Sequence, residues 1–241
     1  MKFSPVYLLS LAPIVAAHFT LEYPTSRGQD EDKMPTFPCG GLAQSTNRTQ
    51  VSISSGSFPV ALRMGHDETA VEVLLALGSD PGTNFNITLH PTFRVEGLGQ
   101  FCLPHIVFDE SVLGTNITDG MNATLQVQSN GDPSGGLYAC ADIQFSSTTQ
   151  YEEPSSCTNN TGISAIAFTG AAAQRNANES TAEGQAQSGS SSSSSSSGSS
   201  SGSSPSQTSS TTASSTAGAV ALETAAWGIL GAAVVGGLAV L

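Results

Sequence analysis

Neutral imidazole is the commonest transition-metal ligand among side chains, and this chain of 241 residues holds four histidines: His18, His66, His90 and His105. His18 follows Val15-Ala16-Ala17, the small-residue end of an apolar run over 6–16 that Lys2 precedes. That order of parts is a secretory signal peptide over 1–17, and the apolar run is too short to span a bilayer. Cleavage after Ala17 makes His18 the first residue of the mature chain. An N-terminal histidine offers two nitrogens, the α-amine and ring Nδ1, which can close a chelate on one ion. A second imidazole completes a T-shaped three-nitrogen set that suits Cu(II), which prefers tetragonal nitrogen and oxygen ligands. An α-amine titrates near pH ~8, so such a site forms readily around neutrality and weakens in acid.

Of the other histidines, His66 is the best placed to complete the set. It lies in Arg63-Met64-Gly65-His66-Asp67-Glu68, a glycine-containing loop between two apolar runs, where an imidazole can reach outward. His90 precedes Pro91, and His105 sits inside an apolar run; both read as ordinary surface or core histidines. A third feature is Asp142, in the middle of the apolar stretch Tyr138-Ala139-Cys140-Ala141-Asp142-Ile143. Burying a carboxylate is costly unless a cation or several donors meet it. A metal is one such compensation; an arginine or backbone amides are the other.

The elements that must position these residues are short apolar runs at 51–53, 60–64, 70–77, 85–89, 101–108, 123–128 and 137–145, separated by turn residues such as Ser79-Asp80-Pro81-Gly82. In the run 123–128, Ala123, Leu125 and Val127 alternate with Thr124, Gln126 and Gln128, the pattern of a half-buried edge or outer strand. No segment sustains a 3.6-residue period. Seven strands over residues 18–168 predict one all-β domain, an antiparallel β-sandwich of immunoglobulin-like or fibronectin-like shape. Its four cysteines are bound for an oxidising compartment, so two disulfides are expected. Three pairings exist. Cys39 with Cys140 and Cys102 with Cys157 is preferred, because it ties the long N-terminal arm to a central strand. A zinc site is disfavoured by the lack of CxxC spacing.

Beyond this domain, Ser, Thr and Gly dominate residues 169–215, a composition with nothing apolar to bury that predicts a disordered stalk. Small residues at 213–218, a short spacer and an apolar tail without terminal Lys or Arg follow. This is the order of a glycosylphosphatidylinositol (GPI) signal, with attachment at Ser215 and a propeptide over 216–241. The expected location is the outer face of the plasma membrane, with the cell wall as a second one. Six sequons, at Asn47, Asn86, Asn116, Asn122, Asn159 and Asn178, fit passage through the secretory pathway. With 7 basic against 19 acidic residues, a nucleic-acid partner is disfavoured.

His18-Phe19-Thr20-Leu21-Glu22-Tyr23-Pro24, the acidic stretch from Arg27 to Asp32, Phe37-Pro38-Cys39-Gly40-Gly41, Gly65-His66 and Cys140-Ala141-Asp142-Ile143 together resemble the fungal copper acquisition factor family, proteins similar to lytic polysaccharide monooxygenases. The resemblance implies a β-sandwich with a histidine brace of His18 and His66 and with Asp142 as the carboxylate near the metal. A carboxylate there would favour Cu(II) over Cu(I) and obstruct the position where oxygen must bind. The implied function is therefore capture of one Cu(II) per chain and its delivery to a membrane copper importer, rather than catalysis. A copper-dependent polysaccharide-oxidising enzyme and a structural cell-wall glycoprotein are the alternatives.

Overall fold

The computed structural model describes residues 18–131 and 133–188; the expected signal peptide, most of the expected stalk, Ser215 and the expected anchor propeptide lie outside them. Nine strands form two sheets: β1 (Phe19–Tyr23), β2 (Thr49–Ser52), β3 (Ser57–Met64), β4 (Glu68–Leu77), β5 (Ile87–Glu96), β6 (Gly99–Val107), β7 (Asn122–Asn130), β8 (Gly136–Ser146) and β9 (Ser164–Ala167). One sheet has the order β1-β3-β6 and the other β2-β8-β7-β4-β5-β9. Every pairing is antiparallel except β2 with β8, which is parallel. The described helical content is one α-turn, α1 (Glu110–Leu113), capped by Asp109, and a few 3-10 turns. The expected all-β class is observed, with one parallel pair added.

In every strand but β9, alternating apolar residues turn inward and meet between the sheets. Phe19 and Leu21 of β1, Val60 and Leu62 of β3 and Phe101 of β6 pack against Val71, Val73 and Leu75 of β4, Leu125 and Val127 of β7 and Ile143 and Phe145 of β8. Burial of such side chains contributes roughly 1.5–3 kcal/mol each. Both disulfides take the preferred pairing, Cys39–Cys140 and Cys102–Cys157, each with Cα atoms 4.9 Å apart.

Three expectations are corrected. β1 and β9 were not among the expected strands. β1 lies in what reads as an arm, although Phe19, Leu21 and Tyr23 alternate with polar residues; β9 is a four-residue edge strand exposed along its length and leaves almost no apolar signal. β7 is not an edge strand: it lies between β8 and β4, and its polar face is as buried as its apolar one. Gln126 is fully buried because the arm crosses it and Cys39 donates its backbone N–H to Gln126 Oε1 at 3.0 Å.

Finally, the folded chain does not stop at residue 168. Residues 169–188 cross the outer face of the larger sheet, with Ala177 and Ser180 fully buried. Thr92 Oγ1 donates to the Arg175 carbonyl at 2.6 Å, and Gln187 Nε2 donates to the carbonyls of Gly135 at 3.0 Å and Ser180 at 2.7 Å. This strap is held by polar contacts rather than by apolar burial, so its composition resembles that of the stalk.

Candidate metal centre

β1 and β3 bring His18 to the loop that carries His66. Phe19 pairs with Met64, and one step further along Gly65 donates its N–H to the His18 carbonyl at 3.0 Å. A Cβ at position 65 would stand 2.5 Å from that carbonyl oxygen. Only glycine allows this approach, and it holds the His18 backbone against the residue preceding His66.

Each imidazole has one ring nitrogen engaged and one open. His18 Nε2 lies 3.3 Å from the Glu31 carbonyl. A carbonyl only accepts, so the contact assigns the proton to Nε2 and leaves the Nδ1 lone pair free on the side of the backbone nitrogen. His66 Nδ1 lies 3.1 Å from the Glu68 carbonyl and 3.3 Å from Asp67 Oδ1, which assigns its proton to Nδ1 and leaves Nε2 free. Metal-ligating histidines characteristically donate their second N–H to a carbonyl or carboxylate, which fixes tautomer and ring orientation. The donor set fits a copper ion: Nδ1 of His18, Nε2 of His66 and, after cleavage, the α-amine. Beside His66 opens a cavity of about 290 Å³ whose lining includes Asp67, Glu68, Asn130 and, from the strap, Thr181 and Glu183. That lining carries three carboxylates and, apart from His66 itself, no aromatic side chain.

Asp142 stands elsewhere. It is fully buried, and Arg27 forks onto it, Nε to Oδ2 at 2.9 Å and Nη2 to Oδ1 at 2.7 Å. The Ser45 amide and the Thr124 hydroxyl add bonds of 2.7 and 2.9 Å. Burial alone would raise this carboxyl's pKa; the Arg27 guanidinium, the Ser45 amide and the Thr124 hydroxyl outweigh it and hold the pKa below the usual carboxylate range. Among the described residues no three His, Cys, Asp or Glu side chains group as a metal cage. The expectation of Asp142 beside the metal is thus corrected: its burial is compensated by an arginine and its neighbours, and it ties the arm to β8. His90 donates from Nδ1 to the Pro91 carbonyl, 2.8 Å away, and its ring meets Phe93 at 4.5 Å, while His105 is exposed; both are ordinary histidines.

The sequence model of the family described as copper acquisition factor BIM1-like matches residues 16–162. The chain belongs to the BIM1-like copper acquisition factor family. Its role is accordingly copper-related. An uncharacterized protein of Aspergillus fumigatus is 87% identical over the full length of both chains. A lytic polysaccharide monooxygenase-like protein X325 of Yarrowia lipolytica is 31% identical over 76% of this chain and 70% of its own. Copper acquisition factor BIM1 of Cryptococcus neoformans is 33% identical over 59% of this chain and 66% of its own.

In this BIM1-like chain the sequence reading missed the groups that orient the two histidines. The carbonyls of Glu31 and Glu68 act through the backbone, so their side-chain types carry no signal. Gln29, which donates to the Phe19 carbonyl at 3.2 Å and steadies the arm over His18, carries none either. Gly65 could have been found, as a glycine directly before a candidate ligand often marks close backbone approach.

Proposed function

We propose that the mature protein binds one copper ion as cargo, through the α-amine and Nδ1 of His18 and Nε2 of His66. We further propose that it does so without catalysis, on the outer face of the plasma membrane, where a GPI lipid holds it within reach of a copper importer. The observation that carries this reading is the complementary pair of engaged nitrogens: Nε2 on His18 and Nδ1 on His66 face carbonyls, so the lone pairs a brace requires are the ones left over. The carboxylates around His66 favour approach of a cation over docking of a neutral sugar polymer, and exposed sequons at Asn47, Asn86 and Asn116 suit a glycosylated surface protein.

The test is electron paramagnetic resonance of copper-loaded protein secreted with its native N-terminus, together with affinity by chelator competition. A tetragonal Cu(II) spectrum with three nitrogen ligands is expected. It should be lost in His18→Ala, in His66→Ala and in protein with one extra residue ahead of His18. If the extra residue leaves the spectrum and affinity unchanged, the brace is refuted. Oxidised oligosaccharides above a free-copper control, on incubation with reductant and chitin or glucan, would establish the enzyme reading instead.

A further inference from the structure

Of the six sequons, Asn178-Glu179-Ser180 lies in the strap, in a 3-10 turn Ala177–Glu179 pressed onto the larger sheet. Asn178 Nδ2, the atom a glycan would be attached to, donates to the Tyr138 hydroxyl at 3.1 Å, and Asn178 Oδ1 receives Gln128 Nε2 at 3.5 Å. On one side of it the Ala177 N–H reaches buried Glu72 at 3.1 Å. On the other, Ser180 is fully buried. The sheet beneath leaves no slack, because a Cβ on Gly136 would lie 2.4 Å from Asn178 Cβ. The asparagines of the sequons at 47, 86 and 116 are, in contrast, exposed.

Oligosaccharide transfer replaces one Nδ2–H with an Nδ2–C1 bond as the sugar leaves the pyrophosphate of its lipid donor. The transferase needs both the asparagine amide and the serine hydroxyl presented on an accessible chain. In the folded strap the Ser180 residue is fully buried and Asn178 is half-buried with its amide engaged, and a sugar would have to share Nδ2 with the Tyr138 hydroxyl. We propose that Asn178 is not a glycan carrier but the latch of a C-terminal strap, residues 177–187, whose far half forms one wall of the cavity beside His66. The strap's Thr181, Ala182, Glu183 and Gln187 line that cavity, so the latch keeps the wall in place. This inference concerns the strap alone and stands whether or not the histidines bind copper.

The experiment is peptide mapping of protein secreted from a eukaryotic host, with the sequons at Asn47, Asn86 and Asn116 as internal controls for glycosylation. The peptide containing Asn178 is expected unmodified while the controls carry sugar, and Ser180→Ala, which destroys the sequon but keeps the latch, should leave the glycan mass unchanged. Loss of one glycan in Ser180→Ala, or majority occupancy at Asn178, would overturn the proposal. Hydrogen exchange tests the latch itself. In Asn178→Ala the amides of 177–187 should exchange about fivefold faster, the equivalent of one neutral hydrogen bond, and in Ser180→Ala they should not. Unchanged exchange in Asn178→Ala would show that the asparagine fastens nothing.

Discussion

Gly65→Ala puts the proposed centre under strain without touching a ligand. The new Cβ would stand 2.5 Å from the His18 carbonyl oxygen, a distance real Cβ atoms essentially never show, so the two backbones must separate until it is 3.0 Å or more. The Gly65 N–H bond to that same oxygen, now 3.0 Å, lengthens with them. Weakening one backbone hydrogen bond costs about 1 kcal/mol, and overpacking typically costs 1–3 kcal/mol. Together these are about 2–4 kcal/mol, so at roughly 2–4 °C per kcal/mol for a domain of this size Tm should fall by about 4–16 °C with the fold retained. Copper binding should suffer more. Metal–ligand distances tolerate only about 0.2 Å, and the α-amine and Nδ1 sit on one side of the opened contact while Nε2 of His66 sits on the other. Affinity should drop at least ~10-fold, equivalent to about 1.4 kcal/mol, with one nitrogen lost from the paramagnetic resonance spectrum. If the alanine variant is destabilised as expected yet binds copper within about twofold of wild type with an unchanged spectrum, the close approach at Gly65 does not set the ligand geometry.

Two buried carboxylates give stability predictions of opposite sign with pH. Asp142→Ala leaves Arg27 buried and unpaired and should cost about 3–5 kcal/mol in chemical denaturation while leaving copper affinity unchanged; copper binding lost in a folded variant would put the carboxylate back at the metal. The folded pKa of Asp142 lies below its unfolded value. Its contribution is therefore present above pH ~4 and lost as pH falls through the folded value, a loss that should disappear in Asp142→Asn. Glu72 is pushed the other way: burial raises its pKa, only partly offset by the Ala177 amide and Gln128, and Glu179 adds to the rise. Its contribution is full below the unfolded value near ~4.3 and is lost as pH rises through the folded one. Glu72→Gln should then raise Tm at neutral pH relative to wild type and flatten the fall above pH ~5; a lower Tm at neutral pH would show that the charged form is the one the strap requires.

How much of this was legible in the sequence depended on where the signal was carried. Strands β3 to β8 announce themselves because alternating apolar side chains do the packing. His18 and His66 stood out because imidazole is rare in the chain and one copy follows an expected cleavage site. Asp142 was correctly read as a buried charge needing a partner. Its partner could not be named, because Arg27 lies 115 residues away in sequence and only the fold brings the two together. The strap was misread for a related reason: Asn178 and Gln187 fasten it through amide hydrogen bonds, and the same residue types in an unfolded stalk would look no different.

The same distinction bears on when the proposed site comes into being. Before cleavage the His18 nitrogen is a peptide nitrogen, whose lone pair is delocalised into the carbonyl and does not bind metal without loss of a proton. The uncleaved chain can offer two imidazole nitrogens but not the chelate. Folding of β1 against β3 then matters twice, since it buries Phe19 and Leu21 in the core while leaving His18 only partly covered at the strand's start. In the proposed site, signal cleavage would supply the amine and sheet pairing supplies the approach to His66. On this reading neither step alone makes a copper site, so a leader-bearing chain that folds normally should still fail to hold the ion.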